Sequence, residues 1–208
     1  MQILSISFGK KLIAKCSVKT ANAQEKPCEI YELSKKDDID YFCRLKENKQ
    51  WQNSEYTEIT NQMMLSPLLN KGLKIFSLES KNEGCIGYIC TQDFDFIPNK
   101  TYVEFLETCP MYSSKNKKRE IKYIGQTLMA FVVALAQKNK KDKVCVPTIA
   151  PKSKRFYGKA CGFRQDYKDN DGLIINRQNY NKFLRKHEEK TGKEITFIAW
   201  KLIQTTTE

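Results

Sequence analysis

The chain of 208 residues has a single histidine, His187, and none of its eight cysteines stands in a C-x-x-C pair. A structural zinc takes four nitrogen or sulfur ligands, usually from closely spaced pairs, so neither zinc nor any other metal is expected. Long apolar runs are also missing. None reaches about 18 residues, so no membrane-spanning helix is expected. The opening MQILSISFGKK lacks a continuous apolar stretch and a small-residue cleavage site, which argues against a secretory leader. No internal repeat or low-complexity tract is visible. Cys90, Cys109 and Cys145 lie in apolar segments, where a thiol behaves as a small hydrophobe. The expected compartment is a reducing cytoplasm. The even number of cysteines leaves an exported, disulfide-bonded protein as the alternative.

What is present suits one domain with a sizeable core: 40% hydrophobic and 11% aromatic residues. The net charge of +12 attracts polyanions such as nucleic acid, anionic lipid or a phosphate-rich cofactor. A generally lysine-rich surface explains the same number, so charge alone decides little.

Residues 2–8 and 11–19 alternate weakly and read as two short strands joined near Gly9, and 20–28 reads as a polar linker. EIYEL (29–33) is a strand. A helix follows Ser34 with Ile39, Phe42, Cys43 and Leu45 on one face, and a second spans 55–70. LKIFSLES (73–80), CIGYICTQDF (85–94) and TYVEFLETC (101–109) form an antiparallel meander by their spacing. A helix covers about 123–139, KVCVPTI (143–149) is a strand, and SKRFYGKACGF begins a short helix. A further helix is read over 177–190, and TFIAWKLI (196–203) closes the chain as a strand. The expected fold is α/β in the α+β sense: a mixed, mostly antiparallel central sheet flanked by helices. Residues 1–27 would be an N-terminal extension. Residues 28–208 would be the domain proper, with 177–190 as an inserted helix.

Ile124, Leu128, Phe131, Val132, Leu135 and Ala136 recur at helical spacing and mark a buried stripe. Basic residues crowd the approach to this helix: Lys115, Lys117, Lys118, Arg119 and Lys122. The first turn of a helix presents unpaired N–H groups and partial positive charge, where anions settle. Gly125 has no side chain to obstruct a phosphate there. A second basic group, Lys152, Lys154, Arg155 and Lys159, starts the next helix. A merely solvated lysine loop remains the competing reading.

YVEFLETCP, a basic loop, YIGQTLMAF, a strand and KRFYGKACGF follow one another in an order that resembles the GCN5-related N-acetyltransferases. The likeness spans roughly residues 28–166 plus the final strand. It implies an acetyltransferase-like fold and acetyl-coenzyme A as cosubstrate. Its pyrophosphate would lie on backbone amides of an Arg/Gln-x-x-Gly-x-Gly/Ala loop. Aligned on that loop, Gly125 is its second glycine, Tyr123 replaces the first and Glu120 replaces the Arg or Gln. The Asn expected after the next strand falls near Ala150, and the Tyr-to-Gly spacing in FYGKACGF is one residue longer than usual.

The resemblance implies transfer of an acetyl group to a primary amine of an unidentified acceptor. A lysine-type amine, of pKa about 10.4, must first lose a proton, and a carboxylate can take it. Strand alternation puts Tyr102, Glu104, Leu106 and Thr108 on one face and Val103, Phe105, Glu107 and Cys109 on the other. Glu104 is the expected base, and a glutamate simply paired with a lysine is the alternative. Tyr157 resembles the family's general acid or, given the altered spacing, is a packing residue. A backbone N–H near Cys109 would polarise the thioester carbonyl. The expected cofactor contacts are Thr108, Cys109, Lys122, Tyr123, Ile124, Gly125, Gln126, Thr127 and Lys154. Glu55, Glu58, Asp93 and Asp95 are candidates for the acceptor side. A Cys–His nucleophile from Cys109 or Cys161 would need the helix carrying His187 to fold back over the site. The rival function is a silent domain of the same fold that binds nucleic acid or another acidic partner.

Overall fold

The computed structural model describes residues 10–33, 51, 72–113, 116–147, 151–167 and 172–198. Both helices expected between 34 and 70, the strand at 2–8 and Ala150 lie outside them. Strands β1 (Lys10–Thr20) and β2 (Glu25–Leu33) make a hairpin. The stretch read as a linker is its turn and the start of β2. The meander is β3 (Leu73–Ser80), β4 (Gly84–Gln92) and β5 (Lys100–Thr108), antiparallel throughout. After it come β6 (Ile121–Lys122), α1 (Ile124–Lys138) and β7 (Lys143–Val146). Helix α2 (Pro151–Arg155) runs into a π-helical turn, Phe156–Ala160. The chain continues through β8 (Arg164–Gln165), β9 (Leu173–Asn176), α3 (Tyr180–Thr191) and β10 (Thr196–Phe197).

The strands form one sheet in the order β10-β1-β2-β3-β4-β5-β7-β9-β8, with β6 beside β1. Every pairing is antiparallel except β5 with β7. This is the expected mixed, mostly antiparallel sheet. The strand beside β7 is β9, which the sequence reading did not foresee. The closing strand lies at the other edge of the sheet, where Thr196 and Phe197 pair with Lys15 and Ala14 of β1.

Helix α1 packs over β4 and β5 on one side and is covered by α3 on the other. Its burial is therefore wider than the predicted stripe: Thr127, Met129, Ala130 and Val133 are buried too, while Leu135 is only half-buried. Each fully buried side chain of this size contributes about 1.5–3 kcal/mol. Helix α3 runs antiparallel to α1, joined near one end by Gln137 donating to Asn181 and near the other by Thr127 and His187.

Close approach of α1 to the sheet depends on Gly87 in β4. A Cβ there would lie 2.7 Å from Ile124 Cγ2 and 3.1 Å from both the Glu107 carbonyl and Leu128 Cδ1. Gly87→Ala should therefore lower stability by about 1–3 kcal/mol, the usual cost of overpacking, and lower the Tm by several degrees. An unchanged melting curve would contradict this packing. Tyr180→Phe should act the other way and raise the Tm, because the buried Tyr180 hydroxyl has no hydrogen-bond partner among the described residues.

Candidate active site

The parallel pair β5–β7 holds for three register positions: Lys100 with Lys143, Thr101 with Val144 and Tyr102 with Cys145. Beyond Tyr102 the strands part, while β5 runs on to Thr108. A β-bulge marks the point of parting: Val103 pairs with Thr91 and Phe105 with Cys90, which leaves Glu104 as the extra residue.

The bulge overturns the expected alternation. Tyr102 packs with Phe94, Cys145 and Ile174, away from the main core. Leu106 points to the α1 side, against Gly125. Tyr102 and Leu106 therefore occupy opposite faces. Phe105 stacks on Tyr88, whose hydroxyl also donates to Glu107. Of the two glutamates, Glu107 is held by a phenol. Glu104 is half-buried and has no hydrogen bond or ion pair among the described residues. Burial raises its carboxyl above the ordinary value.

Backbone polarity along β5 follows from one bond. The Cys109 N–H donates to the Ile86 carbonyl at 2.9 Å. Amides of an antiparallel strand alternate in direction, so those of Leu106 and Thr108 point away from β4 and into the gap. Cys109 itself is fully buried and its N–H is committed to β4. The Cys109 N–H is therefore not available to the gap, and the amides that face it are those of Leu106 and Thr108.

The approach to α1 is tied down. The Asn116 side chain donates to the Met111 carbonyl and accepts from the Lys118 amide, folding the basic loop. β6 pairs with Lys19 and Thr20, and Lys122 Nζ donates to the Ala21 carbonyl at 3.1 Å. Tyr123 alone links β6 to α1, with φ +68° and ψ 9°. Its carbonyl closes the first turn on the Thr127 amide, and its ring is exposed.

Gly125 does not leave open space, contrary to the sequence reading. A Cβ there would stand 3.1 Å from Phe156 Cζ and 3.5 Å from Leu106 Cδ2. Its smallness admits the Phe156 ring between α1 and α2. The Gln126 side chain donates to the Ala160 carbonyl, and the Thr127 hydroxyl is engaged with His187. Neither side chain is offered to the site, and the Thr127 amide is committed to the Tyr123 carbonyl. Lys154, Arg155 and Lys159 of α2 and its π turn are exposed and have no carboxylate partner among the described residues.

The extra residue in FYGKACGF is absorbed by the π turn, where the Cys161 N–H reaches back five residues to the Phe156 carbonyl. Tyr157 is buried and packed edge-on against Phe156 and Phe163, and it is Phe156 that reaches Gly125 at the α1 start. Asp93 lies where β5 and β7 are still paired and accepts from Thr101, so it does not line the parted end. Asp95 is exposed on the same turn, and Glu55 and Glu58 lie outside the described residues.

Solved structures share this architecture. A protein from Desulfovibrio desulfuricans assigned to the GNAT-family acetyltransferases matches with a TM-score of 0.52 at 15% identity, over 72% of this chain and 99% of that one. One from Exiguobacterium, assigned to the acetyltransferases, gives 0.54 at 12% identity over 74% and 97%. AtaTR bound with acetyl-coenzyme A gives 0.53 at 18% identity over 74% and 96%. The chain has the GNAT acetyltransferase fold. No family model and no curated protein matches the sequence.

Within the GNAT fold, α3 brings His187 to the first turn of α1, a contact that no pattern in the residues announces. Its Nε2 lies 3.0 Å from Thr127 Oγ1, both groups buried. None of the seven described cysteines is in a disulfide and all are buried, and burial pushes the Cys161 thiol up to about 12. A Cys–His nucleophile is therefore not assembled from Cys109 or Cys161. No group of His, Cys, Asp and Glu suited to a metal occurs among the described residues. No described helix is long and apolar enough to cross a membrane.

Burial, with Lys190 nearby, lowers the His187 pKa to about 4. The unfolded value is about 6.5, so the unfolded chain takes the proton first as the pH drops. The contribution to stability is complete above pH 6.5 and is lost as the pH falls toward 4. The total is about 3 kcal/mol. His187→Gln should flatten the dependence of Tm on pH between 6.5 and 4. An equal slope in both proteins would contradict the burial of a neutral imidazole.

Proposed function

We propose that this chain is an N-acetyltransferase, which moves an acetyl group from acetyl-coenzyme A to a primary amine. The observation that carries the reading is the parting of β5 from β7 at the Glu104 bulge, beside the start of α1. A strand edge with unpaired amides accepts an extended amide-bearing arm as a further strand would, and pantetheine is such an arm. The α1 first-turn amides, from Ile124 to Gln126, suit the pyrophosphate, with Lys154 and its neighbours adding mobile positive charge. The same fold with acetyl-coenzyme A bound in AtaTR supports this choice of cosubstrate.

The thioester supplies an activated acyl carbon and a thiolate leaving group. Glu104 takes the proton of the attacking amine, directly or through water. Burial raises its pKa, which makes it a better base than an ordinary carboxylate. The amides of Leu106 or Thr108 face the carbonyl oxygen and steady its negative charge. Tyr157 delivers a proton to the departing sulfur. The acceptor is some primary amine, and cytoplasmic residence suits a cosubstrate made and used there.

Acetyl-coenzyme A should raise the Tm of the protein by an amount that grows with ligand concentration. No shift at millimolar ligand would end the proposal. Glu104→Gln should lower kcat about 100-fold or more with little change in KM for acetyl-coenzyme A. The acid limb of the wild-type pH profile should sit above the ~4.3 of an ordinary glutamate. Release of coenzyme A, followed chromatographically over a panel of primary amines, checks both.

A further inference from the structure

His187 is the chain's single histidine, and the chemistry proposed above does not use it. Its side chain is buried on α3, the helix that covers α1. Buried polar groups are hydrogen-bonded, so its partners show what it holds in place.

A closed ring of bonds surrounds the start of α1. β6 pairs with β1, Ile121 opposite Thr20 and Lys122 opposite Lys19. Tyr123 joins β6 to α1, and its carbonyl takes the Thr127 amide at 2.8 Å. The Thr127 hydroxyl lies 3.0 Å from His187 Nε2. One turn further along α3, the Thr191 hydroxyl donates to the His187 carbonyl at 3.0 Å. The Ser17 hydroxyl donates to the Thr191 carbonyl at 3.2 Å, which returns the ring to β1 beside Lys19. Thr127, His187, Thr191 and Ser17 are all buried.

The ladder and the peptide links fix where the chain enters α1. They do not fix the rotation of the first turn about that entry, since Tyr123 is the single residue between strand and helix. Leu106 and Phe156 meet this turn at Gly125, but apolar contact is non-directional. A hydrogen bond has a preferred distance and angle. The Thr127–His187 contact is therefore the link that sets the orientation of the turn, and Thr191 and Ser17 anchor it to β1. Thr127 follows directly on Ile124, Gly125 and Gln126, whose amides have no carbonyl to meet within the helix. Donors displaced by about 1 Å from a ligand lose much of their effect.

We propose that His187 is a positioning residue for the cosubstrate. It acts through Thr127 to hold the amides of Ile124, Gly125 and Gln126 in the orientation that takes the pyrophosphate. The proposal rests on the acetyl-coenzyme A reading above.

Coenzyme A binding, measured by titration calorimetry beside the Tm of each variant, tests it. His187→Leu leaves the buried Thr127 hydroxyl without its imidazole. It should melt several degrees lower and bind coenzyme A about tenfold more weakly. Thr127→Val cuts the same contact from the other side. It should do the same, and it serves where His187→Leu does not fold. His187→Gln brings an amide near the place of Nε2 and should keep wild-type affinity. The double variant, His187→Leu with Thr127→Val, replaces both polar groups by apolar ones. It should recover most of the lost Tm and none of the lost affinity. A role in folding alone makes Tm and affinity recover together, and that result would overturn the proposal. Wild-type affinity in both single variants would also overturn it and leave the acetyltransferase reading intact. Absence of coenzyme A binding by the wild-type protein would overturn both.

Discussion

Two parallel strands that hold together for three residues and then separate decide what this sheet can do. Neither strand is free to close the gap. β7 is bound along its whole length to β9, from Lys143–Asn176 to Val146–Leu173, and its start is tied by an ion pair from Lys143 to the buried Asp166. β7 also stops at Pro147, which has no N–H to extend a ladder. On the other side β5 stays with β4 up to Thr108, and the extra residue at Glu104 bends it at the point of separation. A sheet normally pairs its backbone groups, and an internal edge left open is costly unless something else pairs with it. The same residue that bends the strand is the carboxylate left unpaired at the opening. Shape and chemistry are therefore set by one insertion.

Helix α1 converts that opening into a site with two ends, and its placement depends on small residues. Gly87 lets it descend on β4, and Gly125 lets Phe156 and Leu106 meet against its first turn. Glycine at 125 looks like room for a phosphate, but what it provides is a tight helix–helix contact. The outer face of α1 is sealed by α3. There a short polar chain runs from Thr127 through His187 to Thr191 and on to Ser17 of β1. A buried neutral imidazole costs little when its nitrogen has a partner, and removing either partner leaves the other unsatisfied. The C-terminal segment thus fixes the first turn of α1 against a strand at the far side of the sheet.

Much of this was legible in the residues. Strict alternation and Gly- or Asn-bearing turns gave β3, β4 and β5, and the i, i+4, i+7 stripe gave α1, because both patterns report burial directly. Of the residues picked out, Glu104 lies at the bulge where β5 leaves β7, Gly125 meets Leu106 of β5, and Tyr157 packs against Phe156 and Phe163. What escaped was structure that hydrophobic pattern does not encode. β6 and β8 are two residues each. β9 is four residues against a predicted helix start, and the π turn depends on one added residue. The bulge was invisible because YVEFLE alternates well enough as a regular strand. Only the partner register shows that Glu104 has no opposite number and that Tyr102 and Leu106 face opposite ways. A left-handed Tyr123 is set by what lies on either side of it in space, not by its own preference.

The net charge also takes on meaning once it is placed. On the β1–β2 hairpin the lysines have acidic partners: Lys10 with Glu79, Lys15 with Glu29, Lys19 with Glu25 and Lys26 with Glu83. Around the start of α1 and along α2 the cations lack such partners among the described residues: Lys117, Lys118, Arg119, Lys154, Arg155 and Lys159. Exposed pairs contribute little to stability, so the pairing on the hairpin matters chiefly as cancellation. Lys74, Lys81, Lys140, Lys182, Lys186 and Lys190 also lack a carboxylate partner among the described residues, so uncompensated charge includes the α1 approach without being confined to it. Within a Debye length of about 8 Å the cations of that approach add to the positive end of the helix dipole. A uniformly basic coat would bind anions everywhere and orient none. The asymmetry between a neutralised hairpin and a bare helix approach can orient one.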